Sequence, residues 1–134
     1  MAITTKKPFL FTREHKYNGE PVSSSSAAQL ANNGVHKLVL ASTYTLQGPQ
    51  VGSMVTIYAS SVDASIVSKT STGGQVAFNA AGGTQRLNLL YDSTVLNDPC
   101  VTLIGESATQ WRIMNVVTPP VNWLSSNAGV TITT

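Results

Sequence analysis

The sequence predicts an all-β fold, an antiparallel β-sandwich or jelly-roll-like body behind an extended N-terminal arm. Three observations carry the prediction. From Val35 onward the apolar residues come in short bursts rich in Val, Ile, Leu, Thr and Tyr, the types that suit a half-buried pleated surface. Within several bursts they alternate with polar residues, which is the period of a strand. Between the bursts stand turn-forming clusters, QGPQVG, STGG, AAGG, NDP and TPP.

In chain order, residues 1 to about 22 mix charges with Phe9, Phe11 and Tyr17 and keep no sustained period. Residues 23–34, SSSSAAQLANNG, have the composition of a polar linker and end in an Asn-Gly turn signal, with room for one helical turn around Ala27 to Ala31. The expected division is an arm and linker over 1–34 and a β-sandwich body over 35–134. In the body, strands are predicted near Val35–Ala41, Tyr44–Leu46, Ser53–Ala59, Ala64–Lys69, Gln75–Phe78, Arg86–Tyr91, Val101–Gly105, Gln110–Val116 and Val130–Thr133. The clearest phases put Val55, Ile57 and Ala59 on one face, Leu87, Leu89 and Tyr91 on another, and Trp111 with Ile113 opposite Arg112. No repeat of fixed period emerges, which argues against a solenoid or propeller.

A chain of 134 residues fits one domain. At that size a single core suffices without metal or disulfide. Only 10% of the residues are charged, against about 25% in an ordinary globular protein, while Ser and Thr together number 31. The surface is therefore built mainly from hydroxyls and amides, and such surfaces repel their own copies weakly. The net charge of +2 resides wholly in residues 1–20, where Lys6, Lys7, Arg13 and Lys16 outnumber Glu14 and Glu20. Four cations interrupted by two acids make a weak footprint for nucleic acid, so a protein surface is the expected partner of the arm.

The chain has one cysteine, Cys100, at the start of an apolar alternation, where a buried packing role is expected. No apolar run is long enough to cross a bilayer, no signal-peptide core follows Lys6 and Lys7, and no Asn begins a glycosylation triplet. Neither membrane contact nor secretion is expected.

Catalytic chemistry finds little material. Gly105-Glu106-Ser107-Ala108-Thr109 comes near the G-x-S-x-G nucleophile elbow, but Thr109 replaces the last glycine and strand-like QWRIMNV follows in place of a helix. No histidine or acid lies beyond Ser107 to complete a triad, so the fragment reads as a hairpin turn. His15 and His36 have no Cys, Asp or Glu at metal-ligand spacing. Gly73-Gly74 and Gly82-Gly83 open no helix and precede no Lys-Ser/Thr, so they read as turns and not as phosphate cradles. No enzyme, cofactor or metal is expected. Trp111 belongs to the core by phase, whereas Trp123, in PPVNWLSSNAG, is a possible loop contact for a partner or a sugar ring.

The run ASTYTLQGPQVGSMVTIYAS, then QVAFNAAGGTQRLNLLYDST, then QWRIMNV, resembles a β-module of tailed-bacteriophage virion proteins, notably capsid decoration or cement proteins and some fibre domains. The residues that carry the resemblance are Tyr44 and Leu46, Pro49 and Gly52, Val55 and Ile57, Leu87 with Leu89 to Asp92, and Trp111 with Ile113. It spans Ala41 to about Val116, and an extra leucine shifts its Leu/Tyr strand by one position. The resemblance implies a non-enzymatic virion protein on the outer capsid surface, made in the host cytoplasm. It further implies a homotrimer that bridges subunits of the major capsid protein and stabilises the shell. The alternative is a fibre domain that binds a receptor or glycan. The arm lies outside the resemblance. Its Lys6, Lys7, Phe9, Phe11, Arg13 and Tyr17 are the expected partner-binding residues, with Phe9 and Phe11 placed to share one side of an extended segment. The competing expectation is that the two phenylalanines fold back onto their own subunit.

Overall fold

The computed structural model describes residues 22–24, 29–78, 85–91, 93, 98–117 and 129–133. Among these there is no helix, and so none long and apolar enough to cross a membrane. Eleven strands form: β1 (Val22–Ser24), β2 (Gln29–Leu30), β3 (Gly34–Leu38), β4 (Thr43–Gln47), β5 (Met54–Ala59), β6 (Ala64–Lys69), β7 (Gln75–Phe78), β8 (Arg86–Leu90), β9 (Cys100–Ser107), β10 (Gln110–Val117) and β11 (Gly129–Thr133). All nine strands expected in the body are present, within a few residues of their expected ends.

The strands make a flattened, nearly closed barrel of two layers. One layer runs β1-β3-β5-β9-β10, the other β2-β4-β6-β8-β11, and β7 joins them. Gln75 and Val76 of β7 pair with Lys69 and Ser68, and Ala77 and Phe78 then pair with Gln110 and Trp111. A strand that changes partner midway turns the corner between two packed sheets.

The antiparallel order expected from the sequence does not extend through the molecule. From β1 to β6 the chain alternates between the layers, and each pass lies parallel to the one before. Val22 stands beside His36 and His36 beside Ile57 in one layer, and Gln29 beside Thr45 and Thr45 beside Val67 in the other. The segments 31–33, 39–42, 48–53 and 60–63 therefore cross between layers where hairpins would have returned the chain to its neighbour. The passes differ in length, which hides the coil from a search for a fixed repeat. Antiparallel pairing takes over with β9, which pairs with both β5 and β10.

The stretch 23–34 is not wholly a linker, and of the helical turn allowed at Ala27 to Ala31 the described residues, Gln29 to Ala31, are not helical. It supplies part of β1 and all of β2, and Leu30 is 1% exposed within the core. A two-residue strand has little propensity of its own. Its register comes from the parallel neighbour Thr45–Leu46 and from the core that takes up Leu30.

The core sits between the layers and follows the alternation. Val55, Ile57 and Ala59 point inward from β5, Leu87 and Leu89 from β8, and Val101 and Leu103 from β9, all buried. Trp111 is buried, Ile113 packs half-buried against the same cluster, and Arg112 between them is exposed. Tyr44 is buried to its hydroxyl, which donates to Leu40 O (2.9 Å) and accepts from Leu40 N (3.2 Å), tying the crossing after β3 to the start of β4. Ser61, in the crossing after β5, has φ of 60°, a left-handed conformation disfavoured for a residue with a Cβ. The Asp98 carboxylate accepts a hydrogen bond from its backbone N at 2.8 Å and steadies the turn.

Candidate interaction surfaces

The residues expected to bind a partner, Lys6, Lys7, Phe9, Phe11, Arg13 and Tyr17 in the arm and Trp123 in the loop, lie outside the described residues, as do His15 and Gly82-Gly83. What the described residues present are the outer faces of the two layers and one end of the barrel.

The Gly105–Thr109 segment is a hairpin. Strand β9 ends at Ser107, Ala108 and Thr109 turn, and β10 begins at Gln110. Ser107 Oγ accepts from Thr109 N at 3.3 Å, so its contact is with the turn backbone. Gly73-Gly74 likewise closes the β6–β7 hairpin, where Thr70 N donates to Gly74 O and Gly73 N to Thr70 O, both at 2.9 Å. Among the described residues no three His, Cys, Asp or Glu side chains gather as a metal site.

Cys100 is not the buried packing residue expected. The inward set of β9 is Val101, Leu103 and Gly105, so Cys100 takes the opposite phase and lies half-buried on the outer face, beside Tyr58 in the ladder. Partial burial holds its thiol above the usual range, which keeps it protonated and weakly nucleophilic. His36, at the mouth of β3, is 5% exposed. Its Nε2 lies 2.8 Å from Ala31 O, and Nδ1 has no hydrogen-bond partner among the described residues.

The two outer faces differ in chemistry. On the β1-β3-β5-β9-β10 layer, Met54 stands beside Ile104 and Thr56 beside Thr102, with Thr56 Oγ1 and Thr102 Oγ1 3.0 Å apart. Met54 is 53% exposed and forms one wall of a shallow apolar cleft of about 310 Å³ with Asn33, Gly34, Val35 and Thr56. Arg112 and Glu106 pair at 2.7 Å on this face with both side chains nearly half exposed, which contributes at most about 1 kcal/mol. The opposite phase of the β5 alternation already places Met54, Thr56 and Tyr58 outside, so this face was legible in the sequence.

The outer face of the other layer is a stripe of hydroxyls and amides. Ser65 stands beside Asn88 and Asn88 beside Thr131. Ser65 Oγ donates to Asn88 Oδ1 (2.9 Å), and Asn88 Nδ2 donates to Thr133 Oγ1 (3.1 Å) and Thr131 Oγ1 (3.4 Å). One amide thus stitches three strands, and no sequence signal marked it, because it sits between Leu87 and Leu89 where only the apolar phase shows. Asn88→Ala is expected to cost about 1–3 kcal/mol, since the groups it serves are partly buried. Its mark is local, and amide exchange should accelerate in β11 before it does in β5 or β9.

At one end of the barrel, Asn32, Gln47, Gln50, Thr70 and Ser71 ring a polar cleft of about 340 Å³ around the Gly48-Pro49 backbone. Asn32 Nδ2 donates to Gly48 O at 2.7 Å and Gly48 N to Lys69 O at 2.7 Å, so the crossing loop is fixed from both sides. The lining groups are uncharged, and none of them is a base that could activate the Thr70 or Ser71 hydroxyl, which suits contact with another polar surface. Comparison of the chain with protein-family models, with curated proteins and with solved structures finds no match to any of them.

Proposed function

We propose that this chain is a non-enzymatic structural protein of a virion, one that decorates a phage capsid and stabilises it by bridging subunits of the major capsid protein. The observation that carries the proposal is where the residues of the resemblance lie. Tyr44, Leu46, Val55, Ile57, Leu87, Leu89 and Trp111 are all buried in one core, so the pattern specifies a scaffold. That scaffold offers weakly charged outer faces, one apolar and one hydroxylated, which can be covered without desolvating many ions. A protein that binds only the assembled shell adds its binding free energy to that state, and this is how such a scaffold stabilises without chemistry. The N-terminal arm, with Phe9 and Phe11 and all the net charge, is proposed as the tether.

The test is binding to empty shells of the parent phage. The full chain is expected to bind saturably and to raise the shell melting temperature. Removing residues 1–20, which leaves β1 in place, is expected to weaken binding at least about tenfold with the body's own melting temperature nearly unchanged. Absence of shell binding, or glycan-array binding in its place, would overturn the proposal in favour of a receptor- or glycan-binding fibre domain. Undiminished shell binding by the shortened chain would remove the arm from the mechanism.

A further inference from the structure

We propose that β11 is a self-association edge, and that two copies of the protein join by antiparallel pairing of Gly129–Thr133 with the same strand of the partner copy. The inference is independent of the virion reading. Strand β11 pairs with β8 along its whole length, Gly129 beside Leu90 through Thr133 beside Arg86, and no described strand pairs with its other edge. Among the described strands it is the last of its layer on that side. The opposite ends of the two layers, β1 and β2, are blunted by being three and two residues long. Strand β11 has five residues and carries in its own sequence none of the devices that protect an edge. Its sequence, Gly-Val-Thr-Ile-Thr, contains no charge, no proline and no lysine to repel a second strand, and it is β-branched at four of five positions.

The occupant follows from the strand's own composition. Centred on Thr131, an antiparallel pair of β11 strands sets Thr131 opposite itself and Val130 opposite Ile132. Every facing pair is uncharged and β-branched or glycine, so nothing opposes the approach of an identical copy. Val130 and Ile132 are half-buried against the core on the inner side, and pairing would cover more of them. On the outer side the Asn88 amide already fixes Thr131 and Thr133, so the edge is ordered before it is met and little entropy is lost on pairing. Such a contact is isologous and closes at two copies. For the free protein it predicts a dimer, in place of the trimer that the resemblance implies.

The register makes the test specific. In a background where Cys100 is Ser, Thr131→Cys places two thiols across the two-fold axis, at about 4.5–5.5 Å between Cα atoms, inside the disulfide range of about 4.4–6.8 Å. Thr133→Cys, on the same face, places them four residues out of register and beyond reach. Mild oxidation of the full chain is expected to give a covalent dimer rapidly with Cys at 131 and little with Cys at 133. In light scattering over the micromolar range the unaltered chain is expected to have a dimer mass. Thr131→Lys, which sets two ammonium groups face to face, should weaken the dimer at least about tenfold while the monomer's fold stays intact by circular dichroism. A monomer or trimer mass for the unaltered chain overturns the proposal. So does cross-linking at 133 as fast as at 131, or a dimer indifferent to Thr131→Lys.

Discussion

Trp111→Ala is expected to cost about 3–5 kcal/mol of folding free energy, a large part of the ~5–15 kcal/mol available to a domain of this kind. The indole is fully buried on β10 beside the corner strand β7, where the two layers are joined. Its removal leaves a cavity that the flanking strands cannot close without breaking ladder bonds. The loss is also polar. Trp111 Nε1 donates to Ser68 Oγ at 2.9 Å, and Ser68 Oγ donates to Leu46 O at 3.0 Å, a chain of bonds that crosses the core from one layer to the other with Ser68 fully buried. Trp111→Phe keeps most of the apolar contact but leaves the serine oxygen without its donor, and should cost about 1–3 kcal/mol. Ser68→Ala strands both the indole N–H and the Leu46 carbonyl. The two single changes should therefore be non-additive, with a coupling of about 0.5–3 kcal/mol in a double-mutant cycle followed by urea unfolding. A loss below about 1 kcal/mol for Trp111→Ala would mean that the indole does not hold the corner.

The alternation of side chains in β5, β8 and β10 states which residues face inward, and there the sequence is legible almost residue by residue. It does not state which strand lies beside which. The crossings 39–42 and 60–63 are about as long as hairpin loops and use turn formers such as Ser42, Ser60, Ser61 and Asp63, yet they carry the chain to the other layer. The signals that do separate the cases are local. Thr72-Gly73-Gly74 and Ser107-Ala108-Thr109 sit where the neighbouring strands truly return antiparallel. Strands β1 and β2 escape notice because their Ser-rich surroundings speak for a linker, and only Leu30, taken up by a core assembled from distant residues, draws the segment in. Cys100 shows the same limit on a smaller scale. A burst of apolar residues gives the strand, but its phase is settled by the majority, here Val101 and Leu103, and the first residue follows. Of the candidate surfaces, the apolar face was implicit in the β5 phase, whereas the Asn88 stripe needed the pairing of β6, β8 and β11 to exist at all.

Gly105→Ala is expected to cost about 2–5 kcal/mol, more than its single methyl group suggests, because backbone occupies the space that a side chain would need. A Cβ at Gly105 would lie 2.1 Å from Gln50 O and 2.8 Å from Pro49 Cβ. Overpacking of this kind costs about 1–3 kcal/mol when neighbours can shift. Here the neighbour is a loop bonded to the glycine itself, since Gly105 N donates to Ser53 O at 2.8 Å and Gly52 N donates to Gly105 O at 2.9 Å. Displacing the loop sacrifices both bonds, each with a net contribution of about 0.5–1.5 kcal/mol. The comparison that isolates the cause is Gly73→Ala. Gly73 has φ of 89° and open space where its Cβ would lie, so only backbone strain is added there, at about 1–2 kcal/mol. The two variants should differ in kind as well as size. Gly105→Ala should shift the amide resonances of 48–53 and open the polar cleft that this loop borders, whereas Gly73→Ala should perturb only its own hairpin. Equal costs, or an unshifted 48–53 loop in Gly105→Ala, would show that the loop yields freely. The glycine that opens the Gly-Glu-Ser-Ala-Thr run would then owe its place to something other than the close approach of Gln50.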